Sequence, residues 1–119
     1  MREERGNLAG DLAINEPMTL WGSVAGNVTA GQGSKFYCRG SIYGNLTVEP
    51  GGRVHVFGNI NGNLVVKEKT KVILSGTLSG DVTNLGGRLY IDATAQVMGK
   101  VKTQSGETTI EPQARIAGE

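Results

Sequence analysis

From residue 42 to residue 82 the apolar residues fall on alternate positions. Ile42, Leu46, Val48, Val54, Val56, Ile60, Leu64, Val66, Val72, Leu74, Leu78 and Val82 are all even-numbered, while Glu49, Arg53, His55, Asn59, Lys67, Lys69 and Lys71 take odd positions between them. A period of two marks a strand with one buried face, and no stretch carries the period of an amphipathic helix. The pattern predicts an all-β chain of short strands. Within it Ile42, Val48, Val54, Ile60, Val66, Val72 and Leu78 recur every six residues.

A longer repeat lies over this alternation. "GSVAGNVTAGQGSKFYCR" from Gly22, "GSIYGNLTVEPGGRVHVF" from Gly40, "GNINGNLVVKEKTKVILS" from Gly58 and "GTLSGDVTNLGGRLYI" from Gly76 begin 18 residues apart, and a shorter copy starts at Gly6. Each copy has a second glycine four residues on, at Gly26, Gly44, Gly62 and Gly80, followed by Asn or Asp and then Val or Leu. Three six-residue segments per repeat predict a β-solenoid of triangular cross-section, with coils stacked about 4.8 Å apart by parallel backbone pairing. About six coils of 16 to 19 residues over 6–119 give a rod of roughly 29 Å, preceded by a short polar tail over 1–5.

After Val82 the parity changes, with Leu89, Ile91, Ala95, Val97 and Val101 on odd numbers, and "LGGR" is expected to absorb the shift as a turn or bulge. Ile91, Ala95, Val97 and Gly99 then recur as Ile110, Ala114, Ile116 and Gly118, so the last coils have a period of 19. The glycines of "FGNINGNLVV" are not read as a phosphate cradle, because that requires a helix after the loop and strands flank both sides here. They are expected at tight corners, with Asn27, Asn45, Asn63 and Asp81 stacked beside them as an amide ladder.

Copies such as "VEPGGRVHVFGNINGNLVV" and "IDATAQVMGKVKTQSGETTIEPQARIAGE" resemble the bactofilins, bacterial polymer-forming cytoskeletal proteins. The resemblance rests on an aliphatic, five residues, an aliphatic and then a glycine: Val48, Val54 and Gly58; Val66, Val72 and Gly76; Ile91, Val97 and Gly99; Ile110, Ile116 and Gly118. It implies a single-stranded right-handed β-helix that self-associates, with cell-envelope or peptidoglycan-related proteins as further partners and a cytoplasmic place peripheral to the inner membrane. Some family members carry a phenylalanine near the C-terminal end, whereas Phe36 and Phe57 both lie in the N-terminal half here. The left-handed hexapeptide helix of acyltransferases is the competing solenoid. It wants a small residue after each period-six aliphatic, and Tyr43, Glu49, His55, Asn61, Lys67 and Ile73 stand there instead.

Composition narrows the chemistry. At 119 residues the chain is one domain's worth, and 19 glycines spread along it mark turns rather than a linker. With 12 basic and 11 acidic residues the net charge is +1, so nothing global attracts nucleic acid. Cys38 is the single cysteine, which fits a reducing compartment, and its inward parity makes it a core residue. No apolar run approaches the ~20 residues of a membrane-spanning helix. His55 points outward with no partner evident, and no Cys/His cluster is present, so no catalytic residue, cofactor or metal site is expected.

Two surfaces remain. Lys35, Arg53, Lys71, Arg88 and Arg115 each precede an inward aliphatic and are expected to stack as a basic column, a solvated face or a contact for an acidic partner. The other is the pair of rod ends. Only "MREER" precedes Gly6 and the sequence stops just past Ile116, so both ends are expected without a polar cap, with Leu8, Leu12, Ile14, Ile110 and Ile116 as the end-to-end interface. The expected function is that of a non-enzymatic structural protein forming nucleotide-independent filaments or oligomers. The alternative is a monomeric or dimeric β-helix that binds a protein or polysaccharide.

Overall fold

The computed structural model describes residues 2–118. The chain winds into a parallel β-solenoid of about six coils. The first coil contains β1 (Arg2–Glu4), β2 (Asn7–Ala9) and β3 (Leu12–Ile14); the second β4 (Pro17–Leu20), β5 (Ser23–Ala25) and β6 (Val28–Ala30). The third has β7 (Lys35–Cys38), β8 (Ser41–Ile42) and β9 (Leu46–Val48), and the fourth β10 (Arg53–Val56), β11 (Asn59–Ile60) and β12 (Leu64–Val66). After β13 (Lys71–Leu74) and β14 (Thr77–Leu78), strand β15 (Val82–Ile91) bends around a corner and opens the next coil; β16 (Gln96–Val97), β17 (Val101–Ile110), bent in the same way, and β18 (Arg115–Ile116) follow. The polar segment expected as a tail therefore contributes a strand, because β1 pairs in parallel with β4.

Three faces result. The first stacks β1, β4, β7, β10, β13 and the second parts of β15 and β17. The second face is β2, β5, β8, β11, β14, β16 and β18. On the third, β3, β6, β9 and β12 are continued by the first parts of β15 and β17. The solid they enclose measures 34 × 25 × 20 Å.

The six-residue spacing puts its residues on the three faces in turn. Val54 and Val72 face inward from the first, Ile42, Ile60 and Leu78 from the second, Val48 and Val66 from the third, and each is at most 4% exposed. Each such side chain contributes about 1.5–3 kcal/mol of burial. The interior is one continuous apolar column from Ile14 to Val97, and Cys38 sits within it.

Changes of period are confined to two of the three corners. From second to third face the step is always four residues, as from Ile60 to Leu64 or Val97 to Val101. From third to first face it is five at Val66 to Lys71 but four at Asn84 to Arg88. From first to second it is three at Leu74 to Thr77 but five at Ile91 to Gln96. One residue fewer at one corner and two more at another turn an 18-residue coil into a 19-residue coil. Asn84 anchors the shortened corner: fully buried, it accepts the N–H of Gly86 and Gly87 and donates to Gly87 O, Glu107 O and Thr108 Oγ1. "LGGR" is the shift, and the buried amide before it holds the bend.

The constant corner carries the asparagine ladder in a form the sequence did not suggest. Asp11 Oδ1 accepts the backbone N–H of Asn27 at 2.9 Å, and Asn27, Asn45, Asn63 and Asp81 do the same for Asn45, Asn63, Asp81 and Lys100 at 2.8–2.9 Å. Each side chain bonds to the backbone of the next coil rather than to another amide. Only an oxygen is needed, which explains why Asp serves as well as Asn. The corner between first and second faces is closer still. A Cβ on Gly58 would lie 1.9 Å from Gly40 O, and one on Gly76 2.0 Å from Gly58 O. Where that corner gains two residues, Ala95 takes the equivalent place and is buried.

Candidate assembly and binding surfaces

The terminal coils differ from the uncapped ends expected. Register places Arg2 over buried Met18 and Glu4 over buried Leu20, so charged residues occupy the core positions of β1, with Arg2 3.9 Å from both Glu4 and Glu16. The other two faces begin on aliphatics: Leu8 and Leu12 are half-buried. Ile14, expected in the end-to-end interface, is only 1% exposed and so offers a partner little surface. It pairs with Ala30 of the next coil and belongs to the core.

At the other end Ile116 closes the second face and Val101 the third, both half-buried, while Ile110 on the first face is 38% exposed. Thr103 and Thr108 stand on Asn84 and Leu89 and hydrogen-bond to each other at 2.7 Å. This end is part polar as well. Among the described residues no helix is long and apolar enough to cross a membrane.

Four of the five expected basic residues align. Lys35, Arg53, Lys71 and Arg88 are in register on the first face, all exposed, between Pro17 and Glu107. Arg115 is not among them. It lies in β18 on the second face, paired with Gln96, because it comes only eight residues after Glu107, less than half a coil, and so falls one face further along the winding. Glu107 occupies the place assigned to it. Among the described residues none of the four cations is in an ion pair, whereas Lys67, one corner away, contacts Glu49 at 2.7 Å.

Sequence reasoning missed two neighbouring columns. Tyr37, His55, Ile73 and Tyr90 stack on the outward side of the first face, two residues beyond the cations, and are half-buried. Trp21, Arg39 and Phe57 follow at the corner: the Arg39 guanidinium carbon lies 5.3 Å from the Trp21 ring centroid and 4.2 Å from that of Phe57, and Arg5 stacks on Trp21 at 5.1 Å. The signal was present, since residues 21, 39 and 57 keep the 18-residue repeat, as do 37, 55 and 73. It was obscured because these residues share geometry but not type.

His55 has neighbours the sequence did not reveal. Its ring stacks on Phe57 at 3.8 Å, and Nε2 lies 3.0 Å from Ser75 Oγ, which donates to Asp92 Oδ2 at 2.9 Å. The order is histidine, serine, aspartate. A nucleophilic triad needs the histidine in the middle, oriented by the acid and drawing the serine proton, so this chain of bonds orders the corner. Partial burial, with help from Arg39 and against the pull of Asp92, lowers the His55 pKa below 6.5. Burial pushes the Cys38 thiol up to about 12 despite its contact with the Gly40 carbonyl, which leaves it a core residue and no nucleophile. The hydrogen bond to Glu111 pushes the Tyr90 hydroxyl up to about 12. Among the described residues no group of His, Cys, Asp or Glu is placed to hold a metal ion.

A model of the family described as "Bactofilin: Polymer-forming cytoskeletal" matches residues 3–102. No curated protein and no solved structure matches the chain. The match runs from β1 into β17 and takes in nearly the whole stack of coils. By its sequence and its parallel β-solenoid the chain belongs to the bactofilin family.

Proposed function

We propose that this chain is a structural, self-assembling protein whose coils stack end to end into nucleotide-independent filaments, as a cytoplasmic bacterial scaffold. One observation carries the reading: at both ends the second and third faces finish on aliphatic side chains, Leu8 and Leu12 at one and Ile116 and Val101 at the other. Apolar columns that end half-buried gain from a further coil laid over them, and the end strand of a solenoid offers unpaired backbone groups to receive it. The family description supports self-association. Its partners are further copies of the chain and, by family likeness, cell-envelope proteins.

A second reading has its own support. Arg2 and Glu4 at core positions of the first coil, and Thr103 and Thr108 in the last, oppose the burial of a dry interface. They favour a discrete monomer or dimer that acts as a binding module. Negative-stain microscopy with light scattering over a range of concentration and salt separates the two. Filaments that shorten on replacing Leu12 or Ile116 with Lys, with an unchanged β signal in circular dichroism, support assembly through the ends; a small species unchanged on concentration supports the module.

A further inference from the structure

We propose that the first face is a docking groove for an extended peptide segment whose residues alternate acidic and apolar. One wall is the column Lys35, Arg53, Lys71 and Arg88; the other is Tyr37, His55, Ile73 and Tyr90. Two shallow depressions of about 260 and 280 Å³ lie between the walls. Lys71 and Ile73 line both, so the depressions meet at β13 and follow one another along the solenoid axis.

Charge defines one side of the occupant. Like charges stacked in neighbouring strands repel, and these four cations form no ion pair among the described residues, although Lys67 nearby is paired with Glu49. Negative groups laid along the column offset that repulsion. The opposite wall defines the other side. A column kept only for solubility needs no apolar neighbour, yet Ile73 and the two tyrosine rings stand half-buried along its whole length.

Dimensions define the backbone. Three coil steps from Lys35 to Arg88 span about 14 Å, the length of four or five extended residues. Successive side chains of an extended strand point to opposite sides, so acids at every second position face the cations and the apolar residues between them face Ile73 and the tyrosines. Glu107 follows Arg88 in the column and repels a further acid, which limits the segment at that end. The groove lies on the face of the sheet, so it leaves the coil ends free and does not depend on the proposed filament.

The test uses the full chain and a fluorescein-labelled peptide of alternating Glu and Val, read by fluorescence anisotropy. The expected result is saturable binding that weakens as salt is raised. A peptide of the same composition with its glutamates in one block should bind at least ~10-fold more weakly, and the paired change Arg53→Glu with Lys71→Glu should remove binding with circular dichroism unchanged. Ile73→Thr, outward-facing and still β-branched, should weaken the alternating peptide but not the block peptide. Equal binding of both peptides, unaltered binding by the folded double variant, or capture of anionic vesicles or single-stranded DNA by these residues without peptide binding overturns the proposal.

Discussion

Replacing Gly58 with alanine tests why this repeat is built on glycine. The added Cβ would lie 1.9 Å from Gly40 O and 2.9 Å from Arg39 O, both backbone atoms with no rotamer to yield. Relief requires the two coils to part by about 1 Å at this corner, since non-bonded carbon and oxygen atoms need more than 3 Å. That displacement strains the bonds from Asn59 N–H to Gly40 O at 3.0 Å and from Gly58 N–H to Cys38 O at 2.9 Å. Two weakened backbone bonds, with part of their desolvation uncompensated, cost about 2–4 kcal/mol. At this chain length that lowers the thermal midpoint by roughly 8–15 °C. Gly6 provides the control: it starts the same column, and a Cβ there meets only Glu4 Oε1 at 3.6 Å. Gly6→Ala should therefore move the midpoint by only a degree or two, about the scale of a neutral surface change. Thermal melts followed by circular dichroism at one fixed protein concentration give both values. Equal shifts for the two variants would refute the close-approach argument.

Other expectations follow from single contacts. Asn45→Ala removes the acceptor of the Asn63 N–H and should cost about 1 kcal/mol, while Asn45→Asp, which keeps the oxygen, should cost less; chemical denaturation compares them. Cys38, fully buried with its pKa near 12, should resist a thiol reagent in the folded protein and react once it is unfolded. For His55 the folded pKa lies below its ordinary 6.5, so folding favours the neutral ring. Its contribution is complete above pH 6.5 and is lost as pH falls through the folded value. A proton NMR titration should place its midpoint below 6.5, and His55→Gln should flatten part of the acid-side loss of stability.

The architecture was legible because period two and period 18 are both consequences of stacking, and every coil restates them. Ile42, Val48 and Val54 announce three faces before any coordinate is known. Where the period slips, the sequence is ambiguous. Arg115 precedes an aliphatic just as Arg88 does, but it follows Glu107, the residue in Arg88's place one coil later, by only eight residues and so lies on the next face. The end coils were harder still, since nothing in the repeat separates buried Ile14 from half-buried Leu12, and Arg2 and Glu4 look like a solvated tail until their pairing with Met18 and Leu20 is seen. The bond from His55 to Ser75 and the Arg39 stack join residues one coil apart, which no local pattern shows.

X-ray fibre diffraction from aligned assemblies tests end-to-end stacking most directly. If coils continue across the junction, strands lie perpendicular to the filament axis throughout, giving a meridional reflection near 4.8 Å, and the seven strands stacked on the second face set a subunit rise of about 34 Å. A sample that stays a discrete small particle at every concentration and salt, or filaments in which the 4.8 Å spacing lies off the meridian, would contradict assembly through the ends.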